Sequence, residues 1–177
     1  MGTPERAQCP RPGSDSCGVG GVWQQNKYPA CGVDTPSHLY SYTFPQGNWE
    51  YFYARKPEIS QYFRSVAERF GVLDDVRLRT EVTSARFDEH RHLWVRDLRT
   101  SDGTTEKLEA NVLITGVGAF GTPRWPDIEG LQDFDGILQH TALWDESVDL
   151  SGKRAGVIGT GASAMQLVPA IVDEVES

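Results

Sequence analysis

The sequence has no apolar run approaching the roughly 18 residues that a membrane-crossing helix needs. Its opening, residues 1–17, lacks the apolar stretch of a secretory leader. Cysteine is scarce. Cys9, Cys17 and Cys31 form an odd set without metal-ligand spacing, which reads as free thiols of a cytoplasmic protein. Positive charge is in deficit: 17 Lys and Arg stand against 25 Asp and Glu, a net charge of -8. That balance argues against a nucleic-acid or membrane partner. Arg6 occupies the position where a myristoylated N-terminus wants Ser or Thr. No internal repeat is present. What remains is a chain of 177 residues, enough for one ordinary domain with a core but short for an enzyme that encloses two nucleotides.

Periodicity divides the rest. Residues 1–17 are rich in Pro, Gly and Ser and read as disordered. Residues 18–53 combine Gly, Pro and aromatics without a sustained period, as a structured loop region does. The spacing of Ile59, Tyr62, Phe63, Val66 and Phe70 predicts a helix over 57–70, with Glu58 in its first turn and Gly71 as its stop. Alternation predicts strands over 76–87, 93–100 and 107–110, joined by the polar turns 88–92 and 101–103. Three such strands in sequence make an antiparallel meander. Residues 111–115 then read as a buried strand ending at Gly116, residues 121–130 as a Pro-containing connector, and residues 153–158 as another strand. A helix over 162–175 follows, which Pro169 is expected to kink.

Gly159-Thr160-Gly161-Ala162-Ser163-Ala164 lies between that last strand and helix. A first glycine can make the tight turn, and a second lets the backbone approach a pyrophosphate. A small third residue allows close helix–strand packing, and the helix N-terminus offers unpaired N–H groups to phosphate. Alone, the segment is also compatible with an ordinary strand–helix turn. The residue that separates NAD from NADP is expected about 20 positions further on, beyond Ser177.

Upstream stands Phe134-x-Gly136-x-x-x-His140-x-x-x-Trp144-Asp145. A lone His four residues from a Trp is ordinarily structural. The joint pattern, placed just before the glycine loop, resembles the fingerprint of Baeyer–Villiger monooxygenases. These enzymes use FAD, NADPH and dioxygen to insert an oxygen atom next to a ketone carbonyl, giving an ester or lactone. A second stretch, Gly20-Gly21-x-Trp23, Tyr28-Pro29 and Asp34, is similar to the same family's flavin segment, with Ala30 where Gly or Met is usual. Thr115-Gly116 and residues 126–131 also match.

The resemblance implies an α/β, two-dinucleotide (Rossmann-type) fold with an antiparallel meander. Residues 18–120 would be part of the FAD domain, 121–150 the linker and 151–177 the start of the NADP domain. It implies FAD contacts at Gly21, Trp23, Gln24, Asp34, Tyr40 and Val82. It implies NADP contacts at Gly159, Thr160, Gly161, Ala162, Ser163, Ala164 and Gln166. Asp34 would orient an arginine from a later segment, His140 would couple nucleotide binding to domain movement, and Trp144 would mark the ketone-oxidising subclass. Flavin enzymes that oxidise nitrogen or sulfur usually carry Tyr or Phe there and are the nearest alternative. The family's FAD pyrophosphate loop and its active-site arginine have no counterpart in this sequence. The further expectations are therefore a truncated section inactive alone, a non-catalytic remnant, or a complementing polypeptide that carries the missing loop.

Overall fold

The computed structural model describes residues 18–120 and 122–176. The expectation of disorder over 1–17, and the state of Cys9 and Cys17, lie outside them.

The chain enters through a one-turn helix, α1 (Val22–Gln25), inside the loop region. The main helix, α2 (Lys56–Arg69), starts one residue earlier than its apolar stripe predicts. Pro57 sits in its first turn, where a missing N–H costs nothing. Glu58 and Arg69 lie at the ends that suit their charges. The helix stops where Phe70 and Gly71 donate back to Val66 and Glu68 at 3.1 Å, with Gly71 at φ +65, the left-handed conformation that ends helices. Ile59, Tyr62 and Ala67 form its buried face. Val33, Ala54 and Ile59 make one core, with Trp23, Tyr40, Trp49 and Phe63 packed around it.

The meander is present as β1 (Thr80–Asp88), β2 (Leu93–Thr100) and β3 (Thr105–Ala110), antiparallel in the order β1-β2-β3. The β1 strand starts later than the alternation predicts. Residues 73–75 take a 3-10 turn, and Arg79 sits at φ +56, which breaks the extended backbone just before Thr80. A bulge between Val82 and Ser84 shifts the register. The 88–92 turn closes on Asp88, whose carboxylate accepts from the His90 and Arg91 amides at 3.0 Å and from Arg91 Nε at 2.8 Å. The Arg91 bond holds that carboxyl below its ordinary range.

Two expectations fail. Residues 111–115 form no strand, and Val112 and Ile114 are 70% and 87% exposed rather than buried. Among the described residues no strand lies beside them, so an extended run has neither a ladder partner nor a covering layer. Residues 153–158 likewise form no strand beyond one parallel bridge, Arg154 to Glu176. The last helix, α3 (Ala162–Ile171), runs two residues past Pro169 and ends before 175. The chain then turns, with Glu174 and Val175 donating to Ile171, so that Glu176 can meet Arg154.

Candidate functional site

Two glycines in strained backbone lead into the aromatic segment: Gly20 at φ +127 and Gly21 at φ +56, the latter capping α1. A side chain at Gly21 would meet nothing within 4 Å, so the backbone there is open to a ligand. Trp23 follows, half-buried. Its indole N–H donates to Tyr40 Oη at 3.0 Å, and the two rings meet edge to face at 5.5 Å. Ser60 of α2 donates to the Trp23 carbonyl at 2.8 Å. Gln24 folds back over Gly18. Ala30 stands at φ +59. The left-handed region costs an alanine about 1 kcal/mol that glycine avoids, which is a physical reason for glycine at this place in the resembling pattern.

Tyr28 and Cys31 are buried with Leu167 and Ile171 of α3, and Trp23, Trp144 and Leu150 pack against them. Burial pushes the Tyr28 phenol up to about 12; the Ser163 side chain opposes the rise, and Cys31 and Asp34 add to it. Burial also raises the Cys31 thiol, so it stays protonated and unreactive near neutrality. Asp34, just past Val33, is exposed.

Gln166 joins this cluster. Its Oε1 accepts from Tyr28 Oη at 2.9 Å and from the Gly32 amide at 3.2 Å, and its Nε2 donates to the Gly32 carbonyl at 2.9 Å. The sequence expectation gave Gln166 to the nucleotide; the side chain is turned toward Tyr28 and Gly32 instead.

In the linker, His140 caps the 3-10 turn Thr141–Leu143, its Nδ1 accepting from the Ala142 amide at 3.1 Å. Its ring lies edge-on to Trp125 at 5.3 Å. That turn touches α1. Phe134 folds its ring over Gly136, where any Cβ would collide with it. Lys27 and Glu146 pair at 3.1 Å on the surface.

The glycine loop has Gly159 at φ +110, and Gly161 caps α3 with no side-chain hydrogen bond. A Cβ on either glycine would enter open space. An uncapped ten-residue helix N-terminus facing open space suits a pyrophosphate. Thr160 and Ala162 are exposed, and Ser163 and Ala164 half-buried.

Trp23, Tyr40, Trp144 and Gln166 thus come together through two abutting clusters, with Gln24, Asp34 and His140 on adjoining turns. Val82 does not join them. It is 54% exposed at the β1 bulge. Cavities of about 250 and 410 Å³ lie elsewhere, over the meander and beside α2. The candidate site is an open surface rather than either of these. Tyr28 and Gly32 went unassigned in the sequence reading, although the Tyr28-Pro29 pair was part of the recognised pattern.

An aromatic glycine-rich segment abutting a helix that opens on a Gly-x-Gly loop is the arrangement of an oxidoreductase that holds two dinucleotides. Residues 36–177 match the family described as L-lysine 6-monooxygenase/L-ornithine 5-monooxygenase. The chain is 53% identical over 157 residues to an uncharacterised monooxygenase of Sinorhizobium fredii, covering 89% of this chain and 24% of that protein. It is 40% identical over 155 residues to a Baeyer–Villiger monooxygenase of Pseudomonas aeruginosa, covering 87% and 29%. It resembles a solved cyclohexanone monooxygenase mutant from Rhodococcus bound to NADP+, at TM-score 0.77 and 40% identity, covering 90% of this chain and 31% of that one. The chain belongs to the flavin-dependent monooxygenases, in the Baeyer–Villiger family. It spans about a quarter to a third of the length of these relatives.

Proposed function

We propose that this chain is a section of a Baeyer–Villiger monooxygenase that uses FAD, NADPH and dioxygen to convert a small ketone to an ester or lactone. The observation that carries the reading is the joining of the two nucleotide segments. Trp23, which donates to Tyr40, and the α3 helix behind the glycine loop are packed on one core through Tyr28, Cys31 and Leu167. When bound, the flavin supplies the redox and oxygen chemistry, and the protein binds, orients and shields it.

Gly21, Trp23, Gln24, Asp34 and Tyr40 would line the flavin. Gly159, Thr160, Gly161, Ala162, Ser163 and Ala164 would cradle the NADPH pyrophosphate, with backbone N–H groups of α3 facing the anion. In this reading Asp34 orients a cationic group against developing negative charge. His140, seated in the linker turn that touches α1, relays nucleotide binding to the flavin side. A complementing polypeptide could supply the FAD pyrophosphate loop. Residues 18–120, 121–150 and 151–177 then serve as FAD-domain portion, linker and start of the NADP domain. Among the described residues no helix is long and apolar enough to cross a membrane.

A second reading, amino-group oxygenation, is favoured by the description of the matching family, which names amino-acid monooxygenases. Trp144 and the Baeyer–Villiger relative favour the ketone. The discriminating test completes the chain with the flavin- and nicotinamide-binding parts of a relative and analyses products from ketones, amines and sulfides under NADPH. Ester or lactone is expected, and N-oxide with no ketone turnover would select the second reading. Gly161→Val fills the open space at the loop and should raise the NADPH KM at least ~10-fold. It leaves the backbone unstrained, since Gly161 sits at φ -75.

A further inference from the structure

Cys31, Gly32 and Val33 form a short extended segment that is held on both edges. On one edge it is paired with residues 54–56: the Val33 amide donates to the Ala54 carbonyl at 3.0 Å, the Lys56 amide donates to the Cys31 carbonyl at 2.8 Å, and Gly32 bridges Arg55. A Cβ on Gly32 would come within 2.7 Å of the Ala54 carbonyl oxygen, so the approach is close enough to require glycine. On the other edge no strand stands among the described residues. The Gln166 amide takes its place, accepting from the Gly32 N–H at 3.2 Å and donating to the Gly32 C=O at 2.9 Å. One side chain thus imitates a residue of a ladder partner. The orientation of the amide is dictated by its partners, since only its oxygen can receive an N–H and only its nitrogen can supply a carbonyl. The Tyr28 hydroxyl bonds to the same oxygen at 2.9 Å.

Gln166 lies on α3, five residues after Gly161, so it moves with the helix whose N-terminus faces the proposed pyrophosphate site. Asp34 lies two residues after Gly32, beyond Val33, which is anchored to Ala54. A shift of α3 is therefore delivered to the backbone just ahead of the Asp34 carboxylate, through hydrogen bonds about 3 Å long.

We propose that Gln166 is a positioning residue, which clamps Gly32 by both backbone groups and transmits occupancy of the 159–164 loop to the Asp34 segment on the flavin side. The proposal rests on the reading above for what the loop and Asp34 bind. It departs from the expectation that Gln166 touches the nucleotide.

Two variants test it in the flavin-loaded enzyme completed from a relative as above. Gln166→Leu removes both halves of the clamp at similar volume. Gln166→Glu keeps the shape and sets a carboxylate oxygen against the Gly32 carbonyl, so a folding failure of one variant leaves the other. The NADPH KM should stay within about twofold, while hydrogen peroxide released per NADPH consumed rises at least ~5-fold. A purely structural role would lower flavin content or thermal stability and leave the coupling of loaded enzyme unchanged. A KM raised more than ~10-fold with coupling intact would return Gln166 to nucleotide binding and overturn the proposal. Amide exchange in the 177-residue chain decides the clamp without any activity. Exchange at Gly32 should quicken at least ~10-fold in Gln166→Leu, with Val33 unaffected, and an unchanged Gly32 overturns the proposal. Failure of the unsubstituted enzyme to oxidise NADPH through flavin would count against the proposed function, with the exchange result still deciding the clamp.

Discussion

The meander pairs its strands in a continuous ladder, whereas among the described residues 111–116 pair with nothing and 153–158 make only the Arg154–Glu176 bridge. Each meander strand meets its neighbour across a short turn, so pairing costs little loop entropy. Asp88 and Asp102 hold those turns by accepting backbone N–H groups. Val95 and Leu98 of the central strand are buried. The other runs have no sequence neighbour to pair with. Val112, Ile114 and Ile158 are 70%, 87% and 69% exposed. Strands of that kind belong to parallel sheets, whose partners arrive through crossover connections and whose faces are covered by helices.

The sharpest way to break this comparison is to delete the same atoms from both regions. Leu98→Ala should cost about 2–4 kcal/mol, while Ile114→Ala should cost less than about 0.5 kcal/mol. Urea midpoints of the two variants measure the difference, and equal costs would mean that Ile114 is covered in solution. The uncovered runs should also make the chain associate with itself. Ile114→Lys together with Ile158→Lys should lower light scattering without moving the urea midpoint. A monomeric unsubstituted chain would show that the runs find cover within it.

A smaller effect concerns the interface that joins the Tyr28 segment to α3. Tyr28→Phe removes the hydroxyl that bonds Gln166 and should cost about 1 kcal/mol near neutral pH. An unfolded tyrosine titrates near 10.0 and Tyr28 near 12. Between those values the unfolded chain has lost its proton while the folded chain keeps it, so this contribution falls as pH rises. It is fully present below pH 10, and the gap between wild type and Tyr28→Phe should narrow from pH 10 to 12. Denaturation at stepped pH follows it, and a constant gap would mean that Tyr28 titrates as a free phenol.

The smallest change is expected at Lys27–Glu146, a pair whose side chains are 36% and 62% exposed. Glu146→Gln should alter stability by no more than about 0.5 kcal/mol, and less at high salt. A larger, salt-insensitive loss would show that the linker is fastened there.

Much of this was legible in the sequence wherever the cause is local. The α2 stripe, the turns at Asp88 and Asp102, and the positive φ of Gly159 follow from neighbours a few residues away. Residues 20–34 and the 134–145 pattern were recognised through resemblance, which assigned Trp23 and Tyr40 to FAD and Trp144 to the substrate subclass without bringing them together. Exposure of residues 111–115 was not legible, because a continuous apolar run reads as buried whether or not its covering layer is at hand. Arg79 carries no mark of its left-handed backbone. Gln166 lies two residues past the glycine motif, and the resemblance assigned it to NADP. Its direction is settled by Gly32 and Tyr28, more than 130 residues away in sequence.

The ring of Phe134 folded over Gly136 gives the fingerprint's first two positions a shared cost. Gly136→Ala in the native chain must evict the aromatic ring from the place its methyl would take. Once Phe134 has been cut back to alanine, the same methyl enters vacated space. The two substitutions should therefore be strongly non-additive, the double variant faring better than the sum of the singles. In evolutionary terms the pair forms a ratchet: the aromatic must leave before the glycine can.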